Sequence, residues 1–202
     1  MAAKNNLKTL LVDDKKILGG STIYQNNESI KIDDKLSSEW LKNEIQEIKK
    51  LSNLSIKTRT SIAAYHGYNF LLAKENLTDH LPEEKKENKI IQRLWKIRAK
   101  KVVIATGSIE RPLVFNNNDR PGILLSNSIN KYLDYYGVTC GENIILFTNN
   151  DSAYETSISL HKKGIKNLIV DLRKSASSEL IKQAESLGIK IYFNHVVTNT
   201  FG

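Results

Sequence analysis

The sequence has very little cysteine and proline. It contains one cysteine, Cys140, and three prolines among 202 residues. A single thiol excludes an internal disulfide framework and a zinc site built from cysteines. The four histidines form no pair at helical spacing, so we expect no metal site. The composition, 40% hydrophobic and 26% charged, is that of a globular protein and not of a linker.

Long apolar runs are also missing. No stretch approaches the roughly 20 consecutive apolar residues that a membrane-spanning helix needs. Residues 1–6 are not followed by the apolar run of a secretory signal. We therefore expect a cytoplasmic protein that has no membrane contact.

Arginine is scarce although the chain is basic. The net charge is +8, and lysine supplies all but six of the 30 basic residues. Surfaces that read bases favour arginine, and no helix-turn-helix or aromatic RNA-binding pattern accompanies the charge. The sequence therefore predicts a lysine-coated, solvated surface and no nucleic-acid partner.

Short β-branched runs alternate with amphipathic segments along the chain. The predicted strands are residues 7–12, 54–64, 68–74, 93–100, 101–106, 143–148, 167–171 and 189–193. The predicted helices are residues 36–51, 126–136, 151–163 and 178–187. Consecutive strands at 54–100 predict an antiparallel meander interrupted by a solvated loop at 75–88. The βαβαβ order from residue 143 onward predicts a parallel sheet with right-handed crossovers.

An acid and a pair of glycines follow the first predicted strand, in the segment LLVDDKKILGG. Asp13 closes the strand, where an acid in a Rossmann-like domain accepts a hydrogen bond from a ribose hydroxyl. Gly19 and Gly20 follow at the spacing found in flavoproteins with two dinucleotide-binding domains. The alternative is a strand that simply ends in a polar turn. The G-x-G-x-x-G turn that normally lies about 20 residues before such an acid is absent, because only twelve residues precede Asp13.

The predicted strand 101–106 ends in the sequence Ala105-Thr106-Gly107. This element recurs in disulfide-reductase-like flavoproteins after a meander. Gly107 lacks a Cβ where the chain crosses close to the dinucleotide. Together with Asp13 and the glycine pair, it predicts a first dinucleotide-binding domain.

A second glycine-rich turn is expected after the strand 143–148, but its glycines are replaced. The sequence has Thr148, Asn150 and Ala153 where G-x-G-x-x-G/A is expected. Side chains there block the close approach of the backbone to a diphosphate. Asp171, at the end of the next strand, is still placed like a ribose-binding acid. We interpret this half as a scaffold in which nucleotide binding is doubtful; alternatively, residues 149–151 line a different polar site.

These patterns predict an α/β, Rossmann-like flavoprotein fold of the disulfide-reductase-like type, which has two dinucleotide-binding domains. We expect the fold to be truncated here and to carry an antiparallel β-meander. Residues 1–108 form the first dinucleotide-binding domain, with the meander at 54–100. Residues 109–139 form a crossover segment, and residues 140–202 begin the second Rossmann-like domain. A parallel strand is normally flanked on both sides, so the unpartnered first strand suggests a fragment of a longer chain.

Two stretches resemble the alpha subunit of heterotetrameric sarcosine oxidase. They are residues 93–123, RLWKIRAKKVVIATGSIERPLVFNNNDRPGI, and residues 146–154, LFTNNDSAY. Residues 13–20, 33–40 and 79–82 fit the pattern of the same family. The resemblance covers nearly all of this chain but only an internal part of the longer family chain. The family chain also carries an N-terminal glycine turn and a C-terminal folate-binding domain.

The resemblance implies an oxidoreductase that acts on CH–NH donors. The whole complex oxidatively demethylates sarcosine to glycine, with formation of hydrogen peroxide and methylene-tetrahydrofolate. Its beta, gamma and delta subunits are the implied partners. The resemblance implies FAD and FMN in the whole complex and NAD in this region, and it implies no catalytic residue here. The residues implied for NAD binding are Asp13, Gly19, Gly20, Thr60, Ser61, Ile62, Thr106 and Gly107.

Other interpretations stay open. The chain is also similar to the alpha subunits of dye-linked proline dehydrogenase and of cyanide-forming glycine dehydrogenase. An NAD(P)H-dependent flavin or disulfide reductase would need glycines in the 148–153 turn and a Cys-x-x-Cys motif, which this sequence lacks. A non-catalytic interaction module is the remaining alternative.

Overall fold

The computed structural model describes residues 1–23, 31–86 and 89–201, and these fall into two compact units. Unit 1 comprises the described residues up to 107, and unit 2 comprises residues 108–201. The elements described in unit 1 are β1 (Thr9–Val12), β2 (Lys31–Ile32), β3 (Lys35–Leu36), α1 (Ser37–Ile48), β4 (Leu54–Lys57), β5 (Thr60–His66), β6 (Phe70–Asn76) and β7 (Gln92–Arg98). Those in unit 2 are α2 (Ser126–Asn130), β8 (Asn143–Thr148), α3 (Ser152–Lys162), β9 (Lys166–Asp171), α4 (Glu179–Ser186) and β10 (Lys190–Phe193).

The first strand of unit 1, β1, pairs with β4, which the sequence predicted as one continuous strand with β5. β1 runs parallel to β4, with Thr9 opposite Leu54. The prediction of one strand over 54–64 is wrong, because the chain turns at Arg59, whose φ is +52°. β5 begins one residue later and is antiparallel to β6. No glycine or proline marks this turn in the sequence.

The meander β5-β6-β7 confirms the prediction of three consecutive antiparallel strands. Trp95 on β7 donates a hydrogen bond from Nε1 to Glu75 Oε2 at 2.6 Å. The Nζ atom of Lys57 lies 3.3 Å from Glu75 Oε1 and 4.0 Å from the centroid of the indole ring. Burial opposes ionisation of Glu75, but the hydrogen bonds from Trp95 and Lys57 outweigh it and lower the pKa of the carboxyl. This cluster ties the end of β4 to the meander.

The segment 101–106 does not form the predicted buried strand. It has no regular structure, and Val103 and Ile104 are 87% and 72% exposed. A β-branched run becomes a strand only where a neighbouring strand accepts and donates its backbone hydrogen bonds. None of the strands within the described ranges pairs with this segment.

Unit 2 confirms the predicted βαβαβ order. Its sheet has the strand order β10-β9-β8, and all pairs are parallel. Tyr154, Leu160 and Ile169 are fully buried in the core between the sheet and the helices. Such complete burial is expected for parallel strands covered by crossover helices.

The predicted helix 126–136 is present but is not α-helical throughout. α2 passes directly into a π-helical turn at Lys131–Tyr135. The carboxylate of Glu110 caps the start of α2 and accepts a hydrogen bond from the backbone N–H of Asn127 at 2.8 Å. None of the helices in the described part of the chain has the length and apolar character needed to cross a membrane.

Candidate functional site

The carboxyl end of β1 is a backbone junction centred on Asp13. The N–H of Asp13 donates to the carbonyl oxygen of Lys57 at 2.9 Å. The N–H of Thr60 donates to the carbonyl oxygen of Asp13, also at 2.9 Å. The structure therefore brings together two predicted parts of the site, the acid and the start of the 60–62 segment.

The side chain of Asp13 is half-buried, and its two oxygens differ. Oδ1 accepts a hydrogen bond from the N–H of Lys15 at 2.8 Å, which fixes the orientation of the carboxylate. No group among the described residues donates a hydrogen bond to Oδ2. A carboxylate that is oriented on one side and keeps a free acceptor on the other can receive a ribose hydroxyl.

Gly19 is required for packing as well as for backbone conformation. Its φ is +130°, and a Cβ built there would lie 2.6 Å from Leu41 Cδ2 and 2.9 Å from Ile23 Cγ1. Gly19 therefore lets the loop after Asp13 lie close to α1. Gly20 has a φ of +57° but meets no atom within 4 Å of the corresponding position. The expectation that both glycines pass close to a cofactor stays a prediction.

Replacing Gly19 with alanine is expected to destabilise the protein by about 1–3 kcal/mol, because the new Cβ overlaps α1 and the φ angle disfavours it. Chemical denaturation of the purified protein measures this change. Gly67→Ala is the matched control, since its Cβ meets open space and no left-handed φ is involved. Equal midpoints for the two variants would contradict the packing role of Gly19.

The other predicted site residues of unit 1 have different surroundings. Thr60 is 1% exposed, whereas Ser61 and Ile62 are exposed on β5 directly beyond the junction. Thr106 and Gly107 lie in the exposed irregular segment after the meander, and no hydrogen bond given by the structure joins them to Asp13. The structure thus joins Asp13 by a backbone hydrogen bond to the start of the 60–62 segment and shows no such link to Thr106 or Gly107.

The strand-to-helix corner of unit 2 satisfies its own polar groups. The Oγ1 atom of Thr148 donates to the carbonyl of Asn150 at 2.9 Å and accepts from the N–H of Asn150 at 3.2 Å. Asn150 Oδ1 accepts from both the N–H and the hydroxyl of Ser152, at 2.9 and 2.7 Å. The N–H groups that would bind a phosphate at the start of a helix are therefore partly taken by side chains that stand where glycines were expected.

Asp171, the second candidate ribose-binding acid, has both oxygens engaged. It is fully buried at the end of β9. The guanidinium of Arg173 donates to Asp171 Oδ1 and Oδ2 at distances of 2.7 to 3.2 Å, and the hydroxyl of Tyr154 donates to Oδ2 at 2.7 Å. Arg173 also donates from Nη1 to Asp151 Oδ1 at 2.7 Å. We call the side chains of Asp151, Tyr154, Asp171 and Arg173 the corner network.

The corner network alters the acid–base properties of its members. Burial opposes ionisation of Asp171, but hydrogen bonds from Arg173 and Tyr154 outweigh it and hold the pKa of the carboxyl below its usual value. Burial and the neighbouring Asp171 raise the pKa of the Tyr154 hydroxyl. The Asp171 carboxylate raises the pKa of Arg173. At neutral pH the network is therefore an ion pair with a neutral tyrosine as donor.

This geometry predicts how stability depends on pH. Because the pKa of Asp171 is lower in the folded than in the unfolded protein, its contribution to stability is complete above about pH 4 and is lost as the pH falls below that. Urea denaturation between pH 7 and pH 3 measures the loss. Asp171→Asn should show a shallower decline over that range, and identical slopes for the two proteins would contradict the assignment.

Two important residues of the corner network were not singled out in the sequence. Arg173 follows Asp171 by two residues, and its role requires knowing that the chain reverses after β9. In the sequence, Tyr154 stood out only as the last residue of the LFTNNDSAY stretch, residues 146–154. An acid and an arginine at i and i+2 after a strand are the one signal that could have indicated the pair.

The parallel strand pairs of both units and the meander of unit 1 define an α/β, Rossmann-like fold, as predicted. L-Proline dehydrogenase from P. horikoshii superposes with a TM-score of 0.63 at 22% identity, over 88% of this chain and 33% of that chain. Thioredoxin reductase from T. acidophilum superposes with a TM-score of 0.64 at 15% identity, over 100% and 60% of the respective chains. At these identities the likeness shows the fold alone.

Sequence comparison is more specific. The chain is similar to the sarcosine oxidase subunit alpha of Corynebacterium sp. (strain P-1), with 33% identity over 98% of this chain and 20% of that protein. The subunit alpha of Rhizobium meliloti (strain 1021) is 31% identical over 94% of this chain and 20% of that protein. The resemblance predicted from the sequence is thereby confirmed. The chain spans about a fifth of the length of these relatives, and no protein-family model matches it.

Proposed function

We propose that this chain is the dinucleotide-binding part of a sarcosine oxidase alpha subunit and that it binds NAD through unit 1. The observation that carries the proposal is the contrast between the two strand-end acids. Among the described residues, none donates a hydrogen bond to Asp13 Oδ2, which can therefore accept a ribose hydroxyl, whereas both oxygens of Asp171 accept hydrogen bonds inside the corner network. The free oxygen makes unit 1 the better candidate for the nucleotide.

The residues of unit 1 suit the adenosine half of NAD. Asp13 would accept from the ribose, and the exposed 61–62 segment next to it offers backbone groups and an apolar side chain to the base. In this proposal Gly19, Gly20, Thr106 and Gly107 lie along the path of the cofactor. When bound, NAD supplies a nicotinamide ring that can accept or donate a hydride. Unit 2 does not suit a second dinucleotide, because its corner is occupied by side chains.

The activity of the complete protein belongs to the same proposal. The relatives carry the name sarcosine oxidase subunit alpha, which supports sarcosine as the substrate of the complete protein. The reaction implied by the family resemblance is oxidative demethylation of sarcosine to glycine, with formation of hydrogen peroxide and methylene-tetrahydrofolate. FAD and FMN would lie in the complex with beta, gamma and delta subunits in the cytoplasm. No residue of this chain is assigned to the amine chemistry.

The proposal is tested by identifying the nucleotides that acid releases from the purified complete protein. Mass spectrometry should find NAD. Flavin without NAD would favour the reductase interpretation, and no nucleotide would favour a non-catalytic module. The complete complex should also form hydrogen peroxide with sarcosine. Oxidation of proline instead of sarcosine would favour the proline dehydrogenase alternative.

A further inference from the structure

The loop that contains Asp79 fits the family pattern at residues 79–82 but has no part in the proposed NAD site. In the structure, Arg59 connects this loop to the Asp13 junction. The Nη2 atom of Arg59 forms an ion pair with Asp79 Oδ1. The Nε atom of the same side chain donates to the carbonyl oxygen of Asn76 at 3.4 Å. The guanidinium is thus anchored on the chain that leaves β6.

The backbone of Arg59 holds the loop that follows Asp13. Its N–H donates to the carbonyl oxygen of Lys15 at 2.8 Å, and its own carbonyl accepts from the N–H of Asn76 at 2.9 Å. The φ of Arg59 is +52°, a conformation that a non-glycine residue adopts at a cost in free energy. The side-chain contacts with Asp79 and Asn76 offset that cost.

The contacts form a continuous path from Asp79 to the carboxylate of Asp13. Asp79 anchors Arg59, the backbone of Arg59 fixes the carbonyl of Lys15, and the N–H of Lys15 orients Asp13 Oδ1. We propose that Asp79 and Arg59 are positioning residues that hold the Asp13 carboxylate in the orientation that receives the ribose of a dinucleotide. This inference rests on the proposed function of unit 1.

The ion pair between Arg59 and Asp79 is partly shielded from solvent. The side chain of Arg59 is 26% exposed and that of Asp79 38% exposed. Desolvation opposes ionisation of Asp79, but the hydrogen bond from Arg59 outweighs it and lowers the pKa of the carboxyl. The Nδ1 atom of His80 lies 3.7 Å from the same oxygen of Asp79.

A double-mutant cycle on NAD affinity tests the proposal. Isothermal titration calorimetry on the complete protein would give the dissociation constant of NAD for the wild type, Asp79→Ala, Asp13→Ala and the double variant. Asp79→Ala should weaken binding by about tenfold in the wild-type background and have no further effect once Asp13 is absent. Glu179→Ala is the matched control, since it breaks the exposed ion pair with Lys182 in unit 2.

Arg59→Gly separates positioning from folding. Glycine favours the left-handed backbone at this position, so the variant should keep the turn and lose only the anchored guanidinium. We expect it to bind NAD about as weakly as Asp79→Ala, while Asp79→Glu should recover part of the affinity. The positioning role would be overturned if Arg59→Gly binds NAD with wild-type affinity. It would also be overturned if the losses of affinity in Asp79→Ala and Asp13→Ala simply add in the double variant.

The outcomes also separate this inference from the proposed function. If Asp13→Ala weakens NAD binding while Asp79→Ala and Arg59→Gly do not, the positioning role fails and the NAD site stands. If the wild type does not bind NAD, or Asp13→Ala binds it unchanged, the proposed function fails and the positioning role fails with it.

Discussion

Arg173→Ala is expected to destabilise the protein by about 3–5 kcal/mol. Removing the guanidinium leaves the Asp171 carboxylate buried without its cation, and the loss of one partner of a buried ion pair has a cost of this size. Arg173→Lys should lie between the wild type and the alanine variant, because a single ammonium cannot replace the paired N–H groups. Chemical denaturation at pH 7 measures the difference in the free energy of unfolding.

The cost should depend on the charge of Asp171. In the double variant Asp171→Asn/Arg173→Ala, the buried side chain at position 171 is a neutral amide and leaves no unpaired charge. The double variant should therefore be more stable than Arg173→Ala alone. Glu179→Ala serves as the control for loss of an exposed ion pair and should change stability by less than about 1 kcal/mol. If the free energy of unfolding of Arg173→Ala lies within about 0.5 kcal/mol of the wild-type value, the corner network does not stabilise unit 2.

The second large effect is expected on nucleotide binding. Asp13→Ala in the complete protein should weaken NAD binding by roughly 10- to 100-fold, because hydrogen bonds to a charged acceptor are typically worth about 1.5–3 kcal/mol. Calorimetric titration with NAD gives the dissociation constants directly. The loss should be smaller for a nucleotide that lacks the adenosine ribose, such as nicotinamide mononucleotide.

Asp14→Ala is the matched control for this prediction. It removes the same charge from the adjacent, exposed position, where Asp14 pairs with Lys15. Long-range attraction of the cofactor would change equally in both variants, so a difference between them isolates the hydrogen bond of Asp13. Equal dissociation constants for the two variants would contradict the role of Asp13.

The parts of the fold that sequence predicts well are those whose pattern is local. The order β8-α3-β9-α4-β10 follows from short apolar runs that alternate with helices, and glycines mark the helix ends. The meander follows from consecutive β-branched segments. These predictions hold because the spacing of apolar residues in each element follows the period of the helix or strand that it forms.

The failures have a common cause, which is dependence on distant neighbours. The run Val102-Val103-Ile104 has strong β propensity, but no described strand pairs with it and it stays irregular. The break between β4 and β5 depends on Arg59 adopting a positive φ, which is held by contacts with Asn76 and Asp79. Neither effect is visible in a local window of sequence.

The candidate site divides in the same way. The position of Asp13 at the end of a strand could be predicted, because an apolar run followed by an acid is a local pattern. The hydrogen bonds that occupy the Asp171 carboxylate could not be predicted, because they come from Tyr154 on a helix and Arg173 in a loop, which meet only in the folded protein. The sequence shows Thr148 and Asn150 where glycines are expected, but their hydrogen bonds to the corner backbone could be found only in the structure.

The most direct measurement is an experimental structure of the complete protein with NAD bound. We predict that the adenosine ribose of NAD contacts the carboxylate of Asp13, that the base lies beside residues 60–62, and that Arg173 remains on Asp171. A dinucleotide lying across residues 149–151, with Asp171 released to its ribose and nothing at Asp13, would contradict the account.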